Sequence, residues 1–236
     1  FYHRRLFVIL FLGFSSGLPI ALTASTLQAW LTVTGVSIVS IGLFSLVGQP
    51  YVYKFLWAPL LDRYIPPFLG RRRGWLLVMQ FGLVLSIALM ALVKPNINPI
   101  LMGVLALITA FLSASQDVVI NAYTTDILEP NERGMGAAFT VTGWRVAYLF
   151  SGALALVFAQ LIGWRNTYLI MSGIMLLCVV VTFLMPEPKF LGVPTSLYAA
   201  VIEPLFEFLK RSGALWILIF IVLYKIGDAF TVSLST

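Results

Sequence analysis

Charged residues are scarce in this chain and are absent over long stretches. Only 10% of the 236 residues are charged, 60% are hydrophobic, and residues 6–53 contain no charged side chain at all. A water-soluble domain has too little interior to bury that much apolar surface. The composition therefore excludes an ordinary soluble protein and favours a membrane protein.

The sequence is also poor in the residues that build disulfides, metal centres and common catalytic sites. It has one cysteine, Cys178, inside an apolar run, and one histidine, His3, near its start. A single thiol forms neither a disulfide framework nor a thiolate metal site, and no G-x-S-x-G, His-Glu-x-x-His or Walker glycine motif occurs. We therefore expect a protein that is not an enzyme and that carries no cofactor or metal.

Long apolar runs are what the sequence has instead. Windows of about 18 or more apolar residues indicate membrane-spanning helices, because roughly 20 residues cross the hydrocarbon layer. In the first run, Gly13 and Gly17 have the small-xxx-small spacing that permits close helix contact. Seven spans are predicted, at Leu6–Val33, Ile38–Leu61, Gly74–Val93, Pro99–Leu128, Met135–Ile162, Trp164–Met185 and Gly213–Thr236.

Six of these spans form one predicted all-α unit, residues 1–185, which a linker at 186–212 joins to the seventh span at 213–236. The first three and the next three spans have nearly equal lengths, which is typical of the inverted repeats in secondary transporters. In the linker, apolar residues recur at helical spacing from Leu197 to Leu209, which predicts a short amphipathic helix on the cytoplasmic surface.

Lysine and arginine in the loops orient the predicted bundle. If the N-terminus is cytoplasmic, ten loop cations lie inside and only Lys94 and Arg165 lie outside. This asymmetry follows the positive-inside rule. It also accounts for the net charge of +6 without a nucleic-acid partner. The ten inner cations are Arg4, Arg5, Arg63, Arg71, Arg72, Arg73, Arg133, Lys189, Lys210 and Arg211.

Charged side chains also lie inside predicted spans, where each needs a partner or water. From the helical rise of about 1.5 Å per residue, Lys54, Asp117 and Arg145 lie near the middle of the membrane. Asp117 is a candidate for proton coupling, because a carboxylate beside a cation in a low-dielectric site can gain or lose a proton. The alternative is a permanent ion pair with Lys54 or Arg145 that only locks the bundle.

In the seventh span, Lys225 and Asp228 can pair with each other, or Lys225 can bind the substrate and Asp228 the proton.

Polar and aromatic residues within the spans complete the candidate site. Lys54, Asp117 and Arg145 leave a surplus positive charge that an anionic substrate would complement. Nearby amides and aromatic rings are of the kind that hold sugars, with helix packing and interface anchoring as alternatives. The predicted substrate-binding residues are Gln28, Trp30, Gln49, Tyr53, Lys54, Gln116, Asn121, Arg145 and Lys225, with proton coupling assigned to Asp117 and Asp228.

The loop after the second span carries a signature. It reads APLLDRYIPPFLGRRRGW from Ala58 to Trp75. This loop resembles the signature of the major facilitator superfamily, with a longer spacer and with Ala58 in place of the usual glycine. The resemblance implies a charged latch at the cytoplasmic helix ends, which holds the outward-open state and releases when the cavity opens inward. The implied gating residues are Asp62, Arg63, Arg71, Arg72, Arg73 and Asp126.

Longer segments give a more specific resemblance. GFSSGLPIALTASTLQAW, SASQDVVINAYTTDILEPNERG and IVLYKIGDAF resemble segments of the AmpG family of muropeptide permeases. The resemblance implies proton-driven import of anhydro-muropeptides across the bacterial inner membrane, as part of peptidoglycan recycling and β-lactamase induction. It also implies a transporter of two six-helix halves, of which this chain would supply the N-terminal half and the seventh helix. We expect the complete protein to be a monomer in the lipid bilayer.

Two alternatives remain at this point. A transporter of another organic anion such as acetyl-CoA shares parts of the pattern, and seven spans also occur in heptahelical receptors that do not transport. A heptahelical receptor differs in topology from the predicted transporter, because such receptors have their N-terminus outside the cell.

A reporter fusion tests the predicted topology. Alkaline phosphatase, which is active only outside the cytoplasm, should be inactive when fused before Phe1 and active when fused after Thr236. Activity at the N-terminal fusion would contradict the orientation and favour a heptahelical receptor.

Overall fold

Helices make up the regular structure in the part of the chain that can be described. The computed structural model describes residues 2–37, 42, 44–188, 206–210 and 213–234, and no strand occurs among them. The predicted all-α architecture is confirmed. The helices are labelled α1 Tyr2–Thr23, α2 Ser25–Val33, α3 Gln49–Tyr53, α4 Ala58–Arg63, α5 Arg71–Leu92, α6 Pro99–Ile127, α7 Arg133–Leu149, α8 Ala155–Ile162, α9 Trp164–Leu184 and α10 Ala214–Leu234.

Within those described ranges, five helical stretches are long and apolar enough to cross a membrane. The first, Arg5–Val33, combines α1 and α2, and the fourth, Arg133–Ile162, combines α7 and α8 through the π turn Phe150–Leu154. The other three are the single helices α5, α6 and α9. These stretches agree with the first, third, fourth, fifth and sixth predicted spans.

The second predicted span, Ile38–Leu61, differs from the prediction because its described part is not one long helix. From Ser45 onward the chain forms short helical turns, with a 3-10 turn at Lys54–Leu56 between α3 and α4. Pro50 and Pro59 stand at the starts of α3 and α4. Proline has no N–H to donate and its ring clashes with the preceding turn, so each one ends the helix before it.

Helices α1 and α7 touch through their backbones. A Cβ atom added at Gly13 would lie 2.3 Å from the carbonyl oxygen of Thr140, and one added at Gly143 would lie 2.1 Å from that of Leu10. A Cβ at Gly17 would meet the α7 backbone at 2.5 Å. Only glycine fits such distances, so the small-residue spacing in α1 marks a helix contact as predicted.

Buried hydroxyl groups tie the helices together across the apolar core. Tyr168 of α9 is fully buried and donates to the carbonyl oxygen of Leu22, at 2.8 Å. Ser172, one turn later, donates to the carbonyl oxygen of Val84 on α5, also at 2.8 Å. Because the hydrocarbon layer offers no water, polar groups at this depth must be satisfied within the protein. Helix α9 is therefore fastened to both α1 and α5.

Residues 192–236 form a separate compact unit. Within it, residues 206–210 are helical and α10 covers Ala214–Leu234, in agreement with the predicted seventh helix. The side chains from Leu215 to Leu223 are exposed. Most of the predicted linker helix lies outside the described residues, as do the side chains of Lys225 and Asp228.

The backbone contact of α1 and α7 predicts a strong effect of one methyl group. Gly143→Ala should lower the free energy of unfolding by about 1–3 kcal/mol, because the new Cβ overpacks the contact. Gly173→Ala on α9 is the matched control, since nothing lies within 4 Å of a Cβ added there. Thermal unfolding in detergent measures both, and equal melting temperatures of the two variants would contradict the packing.

Candidate functional site

Asp117 binds one cation and one hydroxyl group in the middle of α6. Its Oδ2 atom accepts a hydrogen bond from Lys54 Nζ, and its Oδ1 atom accepts one from Ser16 Oγ at 2.9 Å. The Lys54 and Asp117 side chains are 31% and 25% exposed, so the ion pair is only partly buried. Three parts of the fold meet here: α1, the 3-10 turn at Lys54–Leu56, and α6. Lys54 was one of two partners predicted for Asp117 from the sequence, the other being Arg145, whereas Ser16 was not predicted.

Arg145 does not join this pair, although the sequence analysis placed it at the same depth. Its side chain is exposed, and it takes part in none of the ion pairs found among the described residues. The reason lies in the packing of α7. Gly143 and Ala147 of α7 are buried, and Arg145, two residues from each, points away from that face at roughly 100° per residue.

Gln116, predicted to bind substrate, is fully buried and belongs to the helix packing in this conformation. Its Nε2 atom donates to Ser15 Oγ at 2.8 Å, and Gln80 of α5 approaches the same oxygen at 3.4 Å. This buried contact joins α1, α5 and α6. Because Ser15 and Gln116 directly precede Ser16 and Asp117, it also sets the register that lets Ser16 reach the carboxylate.

Asn121 lies on the open side of α6, one turn beyond Asp117. It lines a cavity of about 310 Å³ whose other polar residues include Thr124, Arg133 and Thr140. The hydroxyl groups of both threonines donate to carbonyl oxygens of their own helices. The Asn121 amide and the Arg133 guanidinium are therefore the groups there most available to a ligand.

The other predicted sugar-binding residues divide into exposed and buried ones. Gln28, Gln49 and Tyr53 are exposed. Trp30 is only 5% exposed, and its ring stacks on that of Trp164, with centroids 5.7 Å apart and planes 7° apart. Trp30 therefore fastens α2 to α9. Its assignment as a substrate contact does not fit this conformation.

A second cluster of charges lies at one end of the helices. Arg72, which is almost fully buried, donates through Nε to Asp126 Oδ2 at 2.8 Å and through Nη1 to Asp62 Oδ1 at 2.5 Å. Arg71 Nη2 lies 3.5 Å from the same Asp126 oxygen. The end of α4, the start of α5 and the end of α6 are thereby joined. Four of the six predicted gating residues meet in this cluster.

The two other predicted gating residues are placed differently. Arg63 is exposed and takes part in none of the ion pairs found in the described ranges. Arg73 donates through Nη2 to the carbonyl oxygen of Phe183 in the last turn of α9. A cation at that position is favourable because the carbonyl groups at a helix C-terminus carry partial negative charge.

Glu187, which follows α9, is a member of the cluster that sequence analysis missed. Its two carboxylate oxygens accept from the backbone N–H groups of Arg72 and Arg73, at 2.8 and 2.9 Å. A Cβ added at Gly70 would lie 2.7 Å from the Glu187 carboxyl carbon, so the close approach requires glycine. The signal in the sequence was an acidic residue in the PEP break at 186–188, together with the three arginines at 71–73 just before a predicted span. We call Asp62, Arg71, Arg72, Asp126 and Glu187 the charge cluster.

Comparison with known proteins places these features in a family. The sequence pattern of the Major Facilitator Superfamily matches residues 6–236. The chain is 51% identical over 238 residues to the Anhydromuropeptide permease of Escherichia coli (strain K12), covering 100% of this chain and 48% of that protein. An uncharacterized protein of Haemophilus influenzae is 40% identical, over 99% of this chain and 56% of its own length.

A more distant relative is the Putative transporter AmpG 4 of Rickettsia felis, which is 30% identical over 95% of this chain and 57% of its own length. The chain thus spans about half the length of the curated relatives it matches.

Removal of the Glu187 carboxylate tests its part in the charge cluster. Glu187→Ala leaves two N–H groups at the start of α5 without an acceptor, which should destabilise the protein by about 0.5–2 kcal/mol, as loss of a helix cap does. Glu187→Gln keeps one acceptor oxygen and should lose less. Glu129→Gln, a change at an exposed loop position, is the control. Equal melting temperatures for Glu187→Ala and the control would contradict this role.

Proposed function

Because the chain belongs to the Major Facilitator Superfamily, we propose that it supplies half of a secondary transporter that imports anhydro-muropeptides together with protons. The transporter lies in the bacterial inner membrane as a multi-pass monomer with a cytoplasmic N-terminus, and it is not an enzyme. The identity of 51% to a permease with that name supports the substrate class. The observation that carries the coupling proposal is the partly exposed Lys54–Asp117 pair in the middle of the spans.

The pair couples a proton to an anion by a balance of charge. With Asp117 ionised, its negative charge balances the positive charge of Lys54, so the pair has little attraction for an anionic substrate. When Asp117 takes up a proton, Lys54 loses its partner and the site gains one positive charge. A carboxylate on the peptide part of the substrate then replaces Asp117 as the partner of Lys54. Proton and substrate therefore favour each other's binding.

Ser16 stabilises Asp117 in either state. Its hydroxyl donates to the ionised carboxylate at 2.9 Å and, after a rotation, can accept from the protonated one, since a hydroxyl is both donor and acceptor. Asp117 thus keeps one hydrogen bond when Lys54 leaves it. The exchange costs less than it would at a carboxylate with a single partner.

The exposed amide and phenol groups serve the sugar part of the substrate. Gln28, Gln49, Tyr53 and Asn121 provide hydrogen-bonding groups on exposed positions. We assign them to the disaccharide, whose hydroxyl groups match such donors and acceptors. We also assign Arg145, Lys225 and Asp228 to the proposed site, on the basis of the charges that the sequence places within the spans.

The charge cluster acts as the cytoplasmic gate. Arg72 holds Asp62 and Asp126 together, and opening of the cavity towards the cytoplasm requires these partners to separate. Arg71 and Arg73 support the closed arrangement, and Arg63 is exposed for contacts in other states. Such a set of paired charges can hold one of two conformations without blocking the change between them.

Uptake by the full-length transporter tests the coupling. Labelled anhydro-muropeptide should accumulate in right-side-out membrane vesicles only when a proton gradient is imposed. Asp117→Asn should lower this gradient-driven uptake by about tenfold or more, because Lys54 loses its ionised partner and the site loses its proton acceptor. Glu129→Gln, in an exposed loop, is the control and should behave as wild type.

The alternative, a permanent structural ion pair, gives a different result. In that case Asp117→Asn would lower uptake with and without the gradient by the same factor, through loss of stability. Unchanged uptake by the variant, or accumulation by wild type without a gradient, would also contradict the coupling mechanism.

A further inference from the structure

Two cations converge on a cavity at the end of the helices opposite the charge cluster. Helix α5 starts in the cluster at Arg71 and has 22 residues, so its other end is about 33 Å away. Beyond that end lies a cavity of about 210 Å³, here called the outer cavity. Its polar and aromatic lining consists of Trp30, Thr34, Lys94, Asn96 and Arg165.

The three chain segments that build the outer cavity contain no acidic residue. The sequence has nine acidic residues, and none lies between residues 1 and 61, 63 and 116, or 133 and 186. Lys94 and Arg165 are exposed, and neither takes part in the ion pairs found among the described residues. Two cations brought together without a carboxylate repel each other, so an anion from outside would stabilise the cavity.

The position of Arg165 adds a second reason to expect an anion. Arg165 is the second residue of α9, and the N-terminus of a helix carries partial positive charge that disfavours a cation. An anion there would meet both the guanidinium and the N–H groups of the first turn, which have no partner within the helix. The stacked rings of Trp30 and Trp164 hold this turn against α2.

We propose that the outer cavity binds the phosphate of an anionic phospholipid headgroup. The apolar surroundings favour a lipid over a free anion. Leu92 lines the cavity and is 57% exposed. Ile97 and Ile100, which follow the lining residue Asn96 in sequence, are 72% and 79% exposed. Exposed apolar side chains of this kind pack against acyl chains. A phospholipid satisfies the two cations with its phosphate and the apolar rim with its chains, at the depth where helix ends meet the headgroup layer.

Lipid retention by the full-length transporter tests this site. The protein is placed in nanodiscs of phosphatidylcholine alone or mixed with phosphatidylglycerol, and the lipids that remain bound after extraction are identified by native mass spectrometry. Wild type should retain phosphatidylglycerol in preference to phosphatidylcholine. Lys94→Gln and Arg165→Gln should each weaken retention about fivefold, the factor expected per cation near a membrane surface, and the double variant more than either.

Controls separate this site from general attraction to negative lipids. Lys210→Gln removes one exposed cation from another part of the chain and should leave retention unchanged. The proposal is overturned if the double variant retains phosphatidylglycerol as well as wild type does. It is also overturned if wild type retains phosphatidylcholine and phosphatidylglycerol equally. If soluble glycerol phosphate displaces the lipid as effectively as phosphatidylglycerol itself does, the ligand is a free phosphate and the lipid assignment is overturned.

Discussion

The close backbone contact between α1 and α7 is the constraint on which the other arrangements depend. Gly13 and Gly17 on one helix and Gly143 on the other leave no room for a Cβ atom, so these helices can meet on one pair of faces only. On α1 this contact directs Ser15 and Ser16 away from α7 and towards α6. There Ser15 accepts a hydrogen bond from Gln116, and Ser16 donates one to Asp117. On α7 it directs Arg145 outwards. The composition of the charged site thus follows from a contact that contains no charge.

The broken second segment supplies the cation of that site. An unbroken helix would carry Lys54 at a fixed angle set by its neighbours, whereas the 3-10 turn at Lys54–Leu56 ends one short helix before the next begins. Irregular backbone at membrane depth is tolerated where it lines a polar or hydrated site. The partial exposure of the Lys54–Asp117 pair agrees with this requirement, and it distinguishes the pair from the fully buried Gln116 contact beside it.

The two ends of the helices have opposite electrostatic character. At one end, carboxylates and arginines neutralise each other around Arg72, and Glu187 satisfies backbone N–H groups as well. At the other end, Lys94 and Arg165 share a cavity with no acidic residue in the segments that form it. At the first end the charges are paired within the protein, whereas at the other end two cations can bind a ligand. Both patterns obey the same rule, that a charge near a low-dielectric layer needs a partner or water.

The sequence by itself determined the all-α class and most of the spans, because apolar length and helical rise are local properties. It also indicated that Asp117 and Asp126 belong to two separate groups, since their spacing puts them on different faces of one helix. Only the tertiary structure decided which partners they meet. Arg145 is exposed on the face of α7 away from its buried residues, and Trp30 and Gln116 are buried. Glu187 reaches α5 across more than a hundred residues of sequence. Those outcomes depend on which helices pack together, and packing between distant segments leaves no periodic trace in a single sequence.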